Sequence, residues 1–187
     1  MIWIVVLVMV VVVGLVLAAV AFNRLRTQDV SAQEALGGID VQLTRRADLV
    51  PNLVETVKGY AAHERAVFDE VTQARAQVAS ATGAGATVEQ RAAAEAALQR
   101  GILHINAVAE AYPDLKASQG FISLQEQLAS TEDQLAFARQ YYNDSVSTLN
   151  TSLATIPWMW MAGPAGVRPR AFYQAAEGQE PPPQVRF

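Results

Sequence analysis

The feature that most constrains this chain is an uncharged, strongly apolar run over residues 2–22. In a helix of about 1.5 Å rise per residue, this run matches the roughly 30 Å hydrocarbon core of a bilayer. A cleaved secretory signal is the alternative interpretation. However, no basic residue precedes the run, and the run exceeds the usual signal apolar region of about 7–15 residues. We therefore predict one transmembrane helix over residues 1–22.

The basic residues near this run predict its orientation. Arg24 and Arg26 follow the run, and only the amino terminus precedes it. Positively charged flanks favour the cytoplasmic side of a membrane. The N-terminus is therefore expected outside and the rest of the chain in the cytoplasm.

Composition narrows the fold and the chemistry of the remaining residues. The chain has no cysteine, which excludes disulfides, thiolate nucleophiles and cysteine-based metal sites. The net charge of −4 is spread along the chain without a basic stripe, so we expect no nucleic-acid partner. Prolines are sparse and no long stretch alternates with period two. We predict an all-α fold in which the transmembrane helix is followed by a coiled-coil-like, antiparallel four-helix bundle.

A proline interrupts a helical pattern in residues 40–64. Pro51 lacks the amide that a helix interior needs and pushes Val50 away from the helical region. We therefore predict a helix over 23–47, a joint over 47–51 and a second helix over 49–79. Gly37 and Gly38 lower helix stability; close packing against a neighbouring helix is the favoured explanation, and a hinge is the alternative.

Two further helices are predicted over 87–111 and 113–156. Thr87 and Gln90 have the spacing of a capping box at the start of the first. An apolar stripe runs along this helix, and a charged residue, Glu95, occupies one of its positions. Pro157 ends the second. The expected organisation is a bundle over 23–157 and a partly extended, partly ordered tail over 158–187.

Seven residues are candidates for interaction or hinge roles, and several of them also have a simpler structural explanation. Arg45 and Arg46 are expected to be a solvated pair, with anionic lipid or another subunit as the alternative. Glu64 stands in the second predicted helix at a position where the heptad pattern requires an apolar residue. It lies either at the rim of the bundle or buried against a partner side chain. The set is Arg45, Arg46, Pro51, Glu64, Trp158, Trp160 and Phe187.

The aromatic candidates lie near the C-terminal end of the chain. Trp158 and Trp160 suit a membrane interface or a contact with another subunit, or form a lid over the end of the bundle. Phe187 is a candidate for docking on a neighbouring surface. These are hypotheses about binding surfaces rather than about chemistry.

No motif in the sequence predicts catalysis or a bound cofactor. His63-Glu64 begins like a zinc-protease signature, but Val67 stands where the second histidine is required. His104 is expected to be solvated or hydrogen-bonded. Glu132 and Asp133 are adjacent on a helix, point about 100° apart and are expected on a solvated face. We predict no catalytic, cofactor-binding or metal-binding residue.

Several long segments resemble the LemA family over nearly the whole chain. They are I-D-V-Q-L-T-R-R-A-D-L-V-P-N-L-V-E-T-V-K-G-Y-A-A-H-E from Ile39, Val71-Thr72 with Ala74-Arg75, A-Y-P-D-L-K-A-S from Ala111, F-I-S-L-Q-E-Q-L from Phe121, T-E-D-Q-L-A-F-A-R-Q-Y-Y-N-D-S-V from Thr131, and Asn150 before Pro157. The resemblance implies an N-terminal membrane helix with its N-terminus outside and a long-helix bundle in the cytoplasm. It implies no catalytic residues, and it implies a scaffold or adaptor linked to envelope maintenance and membrane proteolysis.

Three functions remain as hypotheses from these observations. The first is a non-enzymatic scaffold of the bacterial inner membrane that contacts lipid, self-associates and presents helices to a membrane protease or another envelope protein. The second is a signalling coiled coil that relays movement through residues 47–51 or Gly37–Gly38. The third is an uncharacterised hydrolase, for which the sequence holds no catalytic pattern.

Overall fold

The computed structural model describes residues 1–83 and 85–174. Of these residues, 84% are helical and none is in a strand. A long N-terminal apolar helix is followed by helices that pack together. The predicted all-α class is confirmed.

The described chain contains long helices joined by short turns, and the shorter helices lie at the turns and near the C-terminal end. A four-residue 3₁₀ turn, Trp158–Met161, precedes the last helix. The α-helices are α1 (Ile2–Lys58), α2 (Arg65–Ala81), α3 (Val88–Glu110), α4 (Pro113–Lys116), α5 (Gln119–Ala154) and α6 (Ala162–Ala165).

Helix α1 passes through the predicted joint, so the prediction of a break over residues 47–51 is wrong. Proline in a helix interior costs about 3 kcal/mol. Pro51 itself is exposed, whereas Val50, Leu53 and Val57 are fully or almost fully buried. Burying each such side chain contributes about 1.5–3 kcal/mol. Packing therefore outweighs the lost hydrogen bond.

The helix ends instead at Lys58, where Gly59 follows. The backbone amides of Tyr60 and Ala61 close the turn on the carbonyl of Val57, at 3.0 and 2.9 Å. Tyr60 lies in this turn and is exposed. The apolar seam is therefore interrupted between α1 and α2 rather than continuous.

The start of α3 agrees with its sequence pattern. Thr87 Oγ1 accepts a hydrogen bond from the Gln90 amide at 3.3 Å. The Thr87 amide donates to Gln90 Oε1 at 2.8 Å. The capping box is confirmed. The predicted stripe is also confirmed in part, since Glu95, Leu98 and the apolar positions that follow are buried.

The predicted helix over 113–156 is divided into α4 and α5, so its single-helix interpretation is wrong. The Phe121 amide donates to Ser118 Oγ at 3.3 Å, which gives α5 a side-chain cap. Because α5 begins at Gln119, Phe121 and Leu124 are buried, whereas Ile122 is exposed. A local cap thus competes with the proline-initiated helix and changes which side chains enter the core.

The chain forms two compact units, and the first comprises Met1–Gly37 and Gln140–Phe172. Here α1 carries the apolar run, which is long and apolar enough to cross a membrane and is almost entirely exposed. Beyond the run, α1 buries Leu25 and Ala32, and the unit's part of α5 buries Val146 and Leu149. The exposure shows that the run is not the core helix of a soluble domain.

An extended segment follows α6 and is bound within the first unit. Asn150 Nδ2 donates to the Arg170 carbonyl at 2.9 Å, and the Arg170 amide donates to Asn150 Oδ1 at 3.0 Å. Tyr142 Oη donates to the Ala171 carbonyl at 2.9 Å. Arg170 also pairs with Asp29 at 2.8 Å. The predicted tail therefore begins with short helical turns over 158–165, and the segment after α6 is extended and held by specific contacts.

The second unit comprises Gly38–Arg139 and the described residues from Tyr173 onward. It contains the last part of α1, all of α2 and α3, and the first part of α5. The contact between Glu70 and His104 shows that α2 and α3 run antiparallel. The Asn106–Gln125 and Glu95–Arg139 contacts show the same for α3 and α5. The helix arrangement places the interior faces of α1, α3 and α5 together.

Gly101 permits a close approach of α2 and α3 in this unit. A Cβ atom at Gly101 would lie 3.0 Å from both Cα and Cβ of Val71. By contrast, a Cβ at Gly37 or Gly38 would meet nothing within 4 Å. The prediction that close packing explains the Gly37–Gly38 pair is therefore wrong, and the glycine that packing requires lies in α3.

Candidate functional site

The most unusual chemical feature of the second unit is a line of buried and half-buried polar side chains contributed by α1, α3, α5 and the C-terminal segment. We call Arg46, Glu95, Gln99, Glu132, Arg139 and Tyr173 the charge cluster. The helices supply these residues at helical spacing: Glu95 and Gln99 are four residues apart on α3, and Glu132 and Arg139 are seven apart on α5. Both spacings place side chains on one helix face.

Arg46 joins α1 to the two other helices. Only 4% of Arg46 is exposed. Its Nη1 atom pairs with Glu132 Oε2 on α5, and its Nη2 atom donates to Gln99 Oε1 on α3. One guanidinium therefore fixes the positions of three helices, which its planar fork of donors suits well.

Arg139 continues the line from Glu132 to Glu95. Its Nη2 atom lies 2.9 Å from Glu132 Oε1, and its Nη1 atom lies 3.0 Å from Glu95 Oε1. Tyr173 Oη then donates to Glu95 Oε2 at 2.6 Å. Two arginines and two glutamates alternate along the line, so their formal charges cancel within the fold.

Outside the charge cluster, another ion pair joins α1 to α3. Arg91 Nε and Nη2 donate to the two Asp40 carboxylate oxygens, at 2.6 and 2.9 Å. Arg91 Nη1 also donates to the Ala86 carbonyl at 2.5 Å, in the turn before α3. This two-pronged contact ties the start of α3 to α1.

Burial governs the electrostatics of the charge cluster. It lowers the pKa of Arg46, while Glu132 and Glu95 act in the opposite direction. Because arginine starts from a very high pKa, Arg46 remains charged at neutral pH. Burial also raises the pKa of Tyr173, and the neighbouring Glu95 carboxylate raises it further. Tyr173 is therefore a neutral hydrogen-bond donor to a charged acceptor.

The raised pKa of Tyr173 predicts a loss of stability in alkaline solution. The folded protein holds the Tyr173 proton above pH ~10, where an unfolded chain releases it. The contribution of protonated Tyr173 to the free energy of unfolding is fully present below that pH. Above it, this contribution decreases by up to about 1.4 kcal/mol per pH unit. Denaturant titrations of Tyr173→Phe should therefore show a shallower alkaline decline than those of the unmodified chain. Identical declines would contradict the buried contact with Glu95.

The arrangement binds helices together rather than presenting a reactive group. Each carboxylate of the charge cluster contacts at least one arginine, and the cluster is mostly buried. A paired, buried carboxylate is a poor general base because ionisation and position are already fixed by its partners. The best-attested role of such buried polar networks is to specify helix register.

The structure changes the interpretation of two sequence candidates. Arg46 is buried, so the expected solvated Arg45–Arg46 pair is wrong for Arg46. Arg45 is exposed and its Nη1 donates to Gln134 Oε1 at 3.3 Å. Glu132 also enters the charge cluster rather than a solvated face, whereas Asp133 is exposed.

The remaining candidates are not members of the charge cluster. Pro51 is exposed on α1, and Glu64 is half-buried at the N-cap position of α2 without a side-chain capping bond. In the other unit, Trp158 is half-buried and Trp160 is exposed. Phe187 lies outside the described residues.

Sequence reasoning missed Arg139, Gln99 and Tyr173 as members of the charge cluster. The available signals were Glu95 inside an apolar stripe and the seven-residue spacing of Glu132 and Arg139. The first signal indicates a polar group on an inward face, and the second places two opposite charges on one face of α5. No spacing rule links Tyr173 to them, because it is distant in sequence and reaches Glu95 only in the folded chain.

Two further polar features of the second unit are exposed to solvent. His104 Nδ1 lies 2.7 Å from Glu70 Oε2 between α3 and α2, in agreement with the expectation of a hydrogen-bonded histidine. A groove between α2 and α3 is open to solvent and is lined by small and amide side chains, such as Gln73, Ala76 and Ala94. In residues 1–83 and 85–174, no group of three potential metal-ligating side chains is assembled.

The fold and this cluster define a class: an all-α protein whose described residues include one candidate membrane span and a helical bundle with paired charges inside it. The LemA family model matches residues 35–187. Since this is most of the chain, the protein belongs to the LemA family. It is a LemA-like, membrane-associated protein.

Among curated proteins, the chain is similar to three magnetosome proteins. They are MamQ 1 and MamQ 2 of Paramagnetospirillum magneticum and MamQ of Magnetospirillum gryphiswaldense. Each is 23% identical over 183 residues, covering 86% of this chain and 67% of the relative. The similarity therefore extends over most of the chain at low identity.

Proposed function

We propose that this protein is a non-enzymatic, self-associating scaffold of the bacterial inner membrane. Residues 2–22 of α1 cross the bilayer with the N-terminus outside, because Arg24 and Arg26 follow the span. The helical units present their surfaces in the cytoplasm to a membrane protease or another envelope protein. The role is in maintenance of the envelope.

The observation that carries the proposal is the internal pairing of the charge cluster. Arg46, Glu132 and Arg139 direct their charges at one another across α1 and α5. Such a network stabilises one arrangement of helices and offers no unpaired charge to a substrate. This favours a protein that presents a defined helical surface over an enzyme.

Exposed apolar residues in the second unit support self-association. Phe137 on α5 is 72% exposed and Val41 on α1 is 61% exposed. The Arg45–Gln134 and Arg46–Glu132 contacts set the register of these two helices, which run antiparallel here. Val41 lies one turn before Arg45 and Phe137 about one turn after Gln134, so the spacing places both on the same side. A phenylalanine ring such as that of Phe137 buries a large apolar area when it enters an interface.

Removing this surface is expected to weaken the oligomer. In a Val41→Ser/Phe137→Ser variant, self-association should weaken by at least about tenfold, since hot-spot residues contribute more than about 1.4 kcal/mol. Light scattering of the detergent-solubilised chain over a concentration series measures this. Leu103→Ser is the matched control, because Leu103 is also exposed but lies on α3.

The self-association part of the proposal has two contrary outcomes. An unmodified chain that is strictly monomeric at all concentrations overturns it. Equal weakening by Leu103→Ser and by the double variant would place the contact elsewhere. Crosslinking in native membranes, followed by identification of the captured proteins, then tests for a protease or other envelope partner.

One observation favours a second candidate function, a signalling relay. The two compact units divide α1 between Gly37 and Gly38, where added methyl groups would meet nothing. Glycine costs about 1 kcal/mol of helix stability relative to alanine, and no local packing explains it here. Under the relay hypothesis, alanine at both positions abolishes the response, whereas under the scaffold proposal it only stabilises the helix.

A further inference from the structure

Large apolar side chains are exposed in the first unit around Pro157 and the following 3₁₀ turn. Ile156 and Trp160 are each 67% exposed, and Met159 is also exposed. We call Ile156, Trp158, Met159 and Trp160 the aromatic edge. A cluster of this kind on a soluble surface marks a binding site for a protein or a membrane.

A contact with Arg24 sets the level of the aromatic edge along α1. The guanidinium carbon of Arg24 lies 4.8 Å from the centroid of the Trp158 ring, which is cation–π geometry. Arg24 is two residues beyond the apolar run that ends at Phe22. At helical rise this separation is about 3 Å. Trp158 is therefore held next to the end of the run.

Packing and hydrogen bonds make this position specific. Ala21, in the last turn of the run, is only 2% exposed, and Leu25 is fully buried. The folded part of the first unit therefore reaches the end of the run without an intervening linker. The Asn150 and Tyr142 hydrogen bonds hold the extended segment that follows the 3₁₀ turn and α6, so the turn is tethered on both sides.

We propose that the aromatic edge is a second membrane contact, which lies at the boundary between headgroups and acyl chains of the same bilayer that residues 2–22 cross. Tryptophan and its neighbours are suited to this boundary because the ring is apolar and the indole N–H is polar. Arg24 and Arg26 supply cations for anionic headgroups at the same level. The partner that the aromatic edge binds is lipid, because the edge is continuous with the membrane span along α1.

This inference rests on the membrane span of the proposed function, and the chain's tryptophans allow the two to be tested separately. The chain has three tryptophans, Trp3 in the span and Trp158 and Trp160 in the edge. A Trp3→Phe/Trp158→Phe variant reports on Trp160 alone, and a Trp158→Phe/Trp160→Phe variant reports on Trp3 alone. Each full-length variant is reconstituted in phosphatidylcholine–phosphatidylglycerol vesicles with bromine near the headgroup end or the terminal end of the acyl chains.

Bromine near the headgroups is expected to reduce Trp160 fluorescence by at least about twofold, with less quenching from bromine at the chain ends, as interfacial tryptophan requires. Trp3 should also be quenched. Quenching of Trp3 without quenching of Trp160 would overturn the proposed membrane contact of the aromatic edge and leave the membrane span supported. A second copy of the chain that covers Trp160 would give this result. If neither is quenched, the span is overturned, and the edge with it. Circular dichroism of both variants confirms that the helices are retained.

Discussion

Replacing Arg46 with methionine is expected to lower the free energy of unfolding by about 2–3 kcal/mol, because Glu132 and Gln99 each lose a charged hydrogen-bond partner. The loss arises mainly at Glu132, which would retain Arg139 but lose the guanidinium that neutralises Oε2. Gln99 also loses its donor from α1. Denaturant titration of the detergent-solubilised chain measures the change.

The neighbouring arginine provides a matched control for this prediction. Arg45 is exposed and makes one long hydrogen bond. Arg45→Met should therefore change the free energy of unfolding by no more than about 0.5 kcal/mol. An Arg46→Met/Glu132→Met double variant should recover much of the loss, since it leaves Arg139 paired with Glu95. Equal effects of Arg45→Met and Arg46→Met would refute the buried position of Arg46.

Alanine at Gly101 is expected to cost about 1–3 kcal/mol, the usual penalty for overpacking a tight core. The new methyl carbon would lie 3.0 Å from both the backbone and side chain of Val71. Neither helix can relieve this contact by a side-chain rotation alone, because Val71 Cα is itself involved. α2 and α3 must therefore move apart, and thermal or denaturant unfolding detects the loss.

Alanine at Gly38 is expected to change the stability in the opposite direction. Gly38 lies inside α1 and a Cβ there meets nothing within 4 Å. Gly38→Ala should therefore stabilise the protein by up to about 1 kcal/mol through helix propensity alone. In a Gly101→Ala/Val71→Ala variant the combined loss should fall below the sum of the single losses. If Gly101→Ala were as stabilising as Gly38→Ala, the close approach of α2 and α3 would be wrong.

These variants separate stability from the proposed functions. Arg46→Met and Gly101→Ala act on the interior of the second unit, whereas Val41→Ser/Phe137→Ser changes exposed positions. A scaffold should therefore lose oligomer formation in the surface variant with little change in its unfolding free energy. The tryptophan experiment adds an independent measurement in the first unit, where no member of the charge cluster lies.

Much of the helical content is predictable from local sequence. The apolar run over residues 2–22, the capping box at Thr87 and the stripe along α3 depend on hydrophobic spacing and on groups three or four residues apart. Such signals act within one or two helical turns. Consequently the all-α class and the start of α3 were predicted from the sequence and confirmed by the structure.

Local rules failed where a tertiary contact opposed them. Proline at position 51 predicts an interruption, yet buried Val50 and Leu53 keep α1 helical because their packing outweighs one missing hydrogen bond. At Gly37 and Gly38 local rules recognise a cost to helix stability, but only the folded structure shows that no neighbour requires a glycine there. In both cases the deciding quantity is what surrounds the residue.

The sequence alone determined the family resemblance, the candidate span and most helix positions, because these depend on patterns within continuous segments. Only the tertiary structure decided that Arg46 is buried while Arg45 is exposed, and that Tyr173 hydrogen-bonds to Glu95. It likewise placed Trp158 beside Arg24. These contacts join residues far apart in the chain, and their energies depend on distance and burial, which the order of residues does not specify.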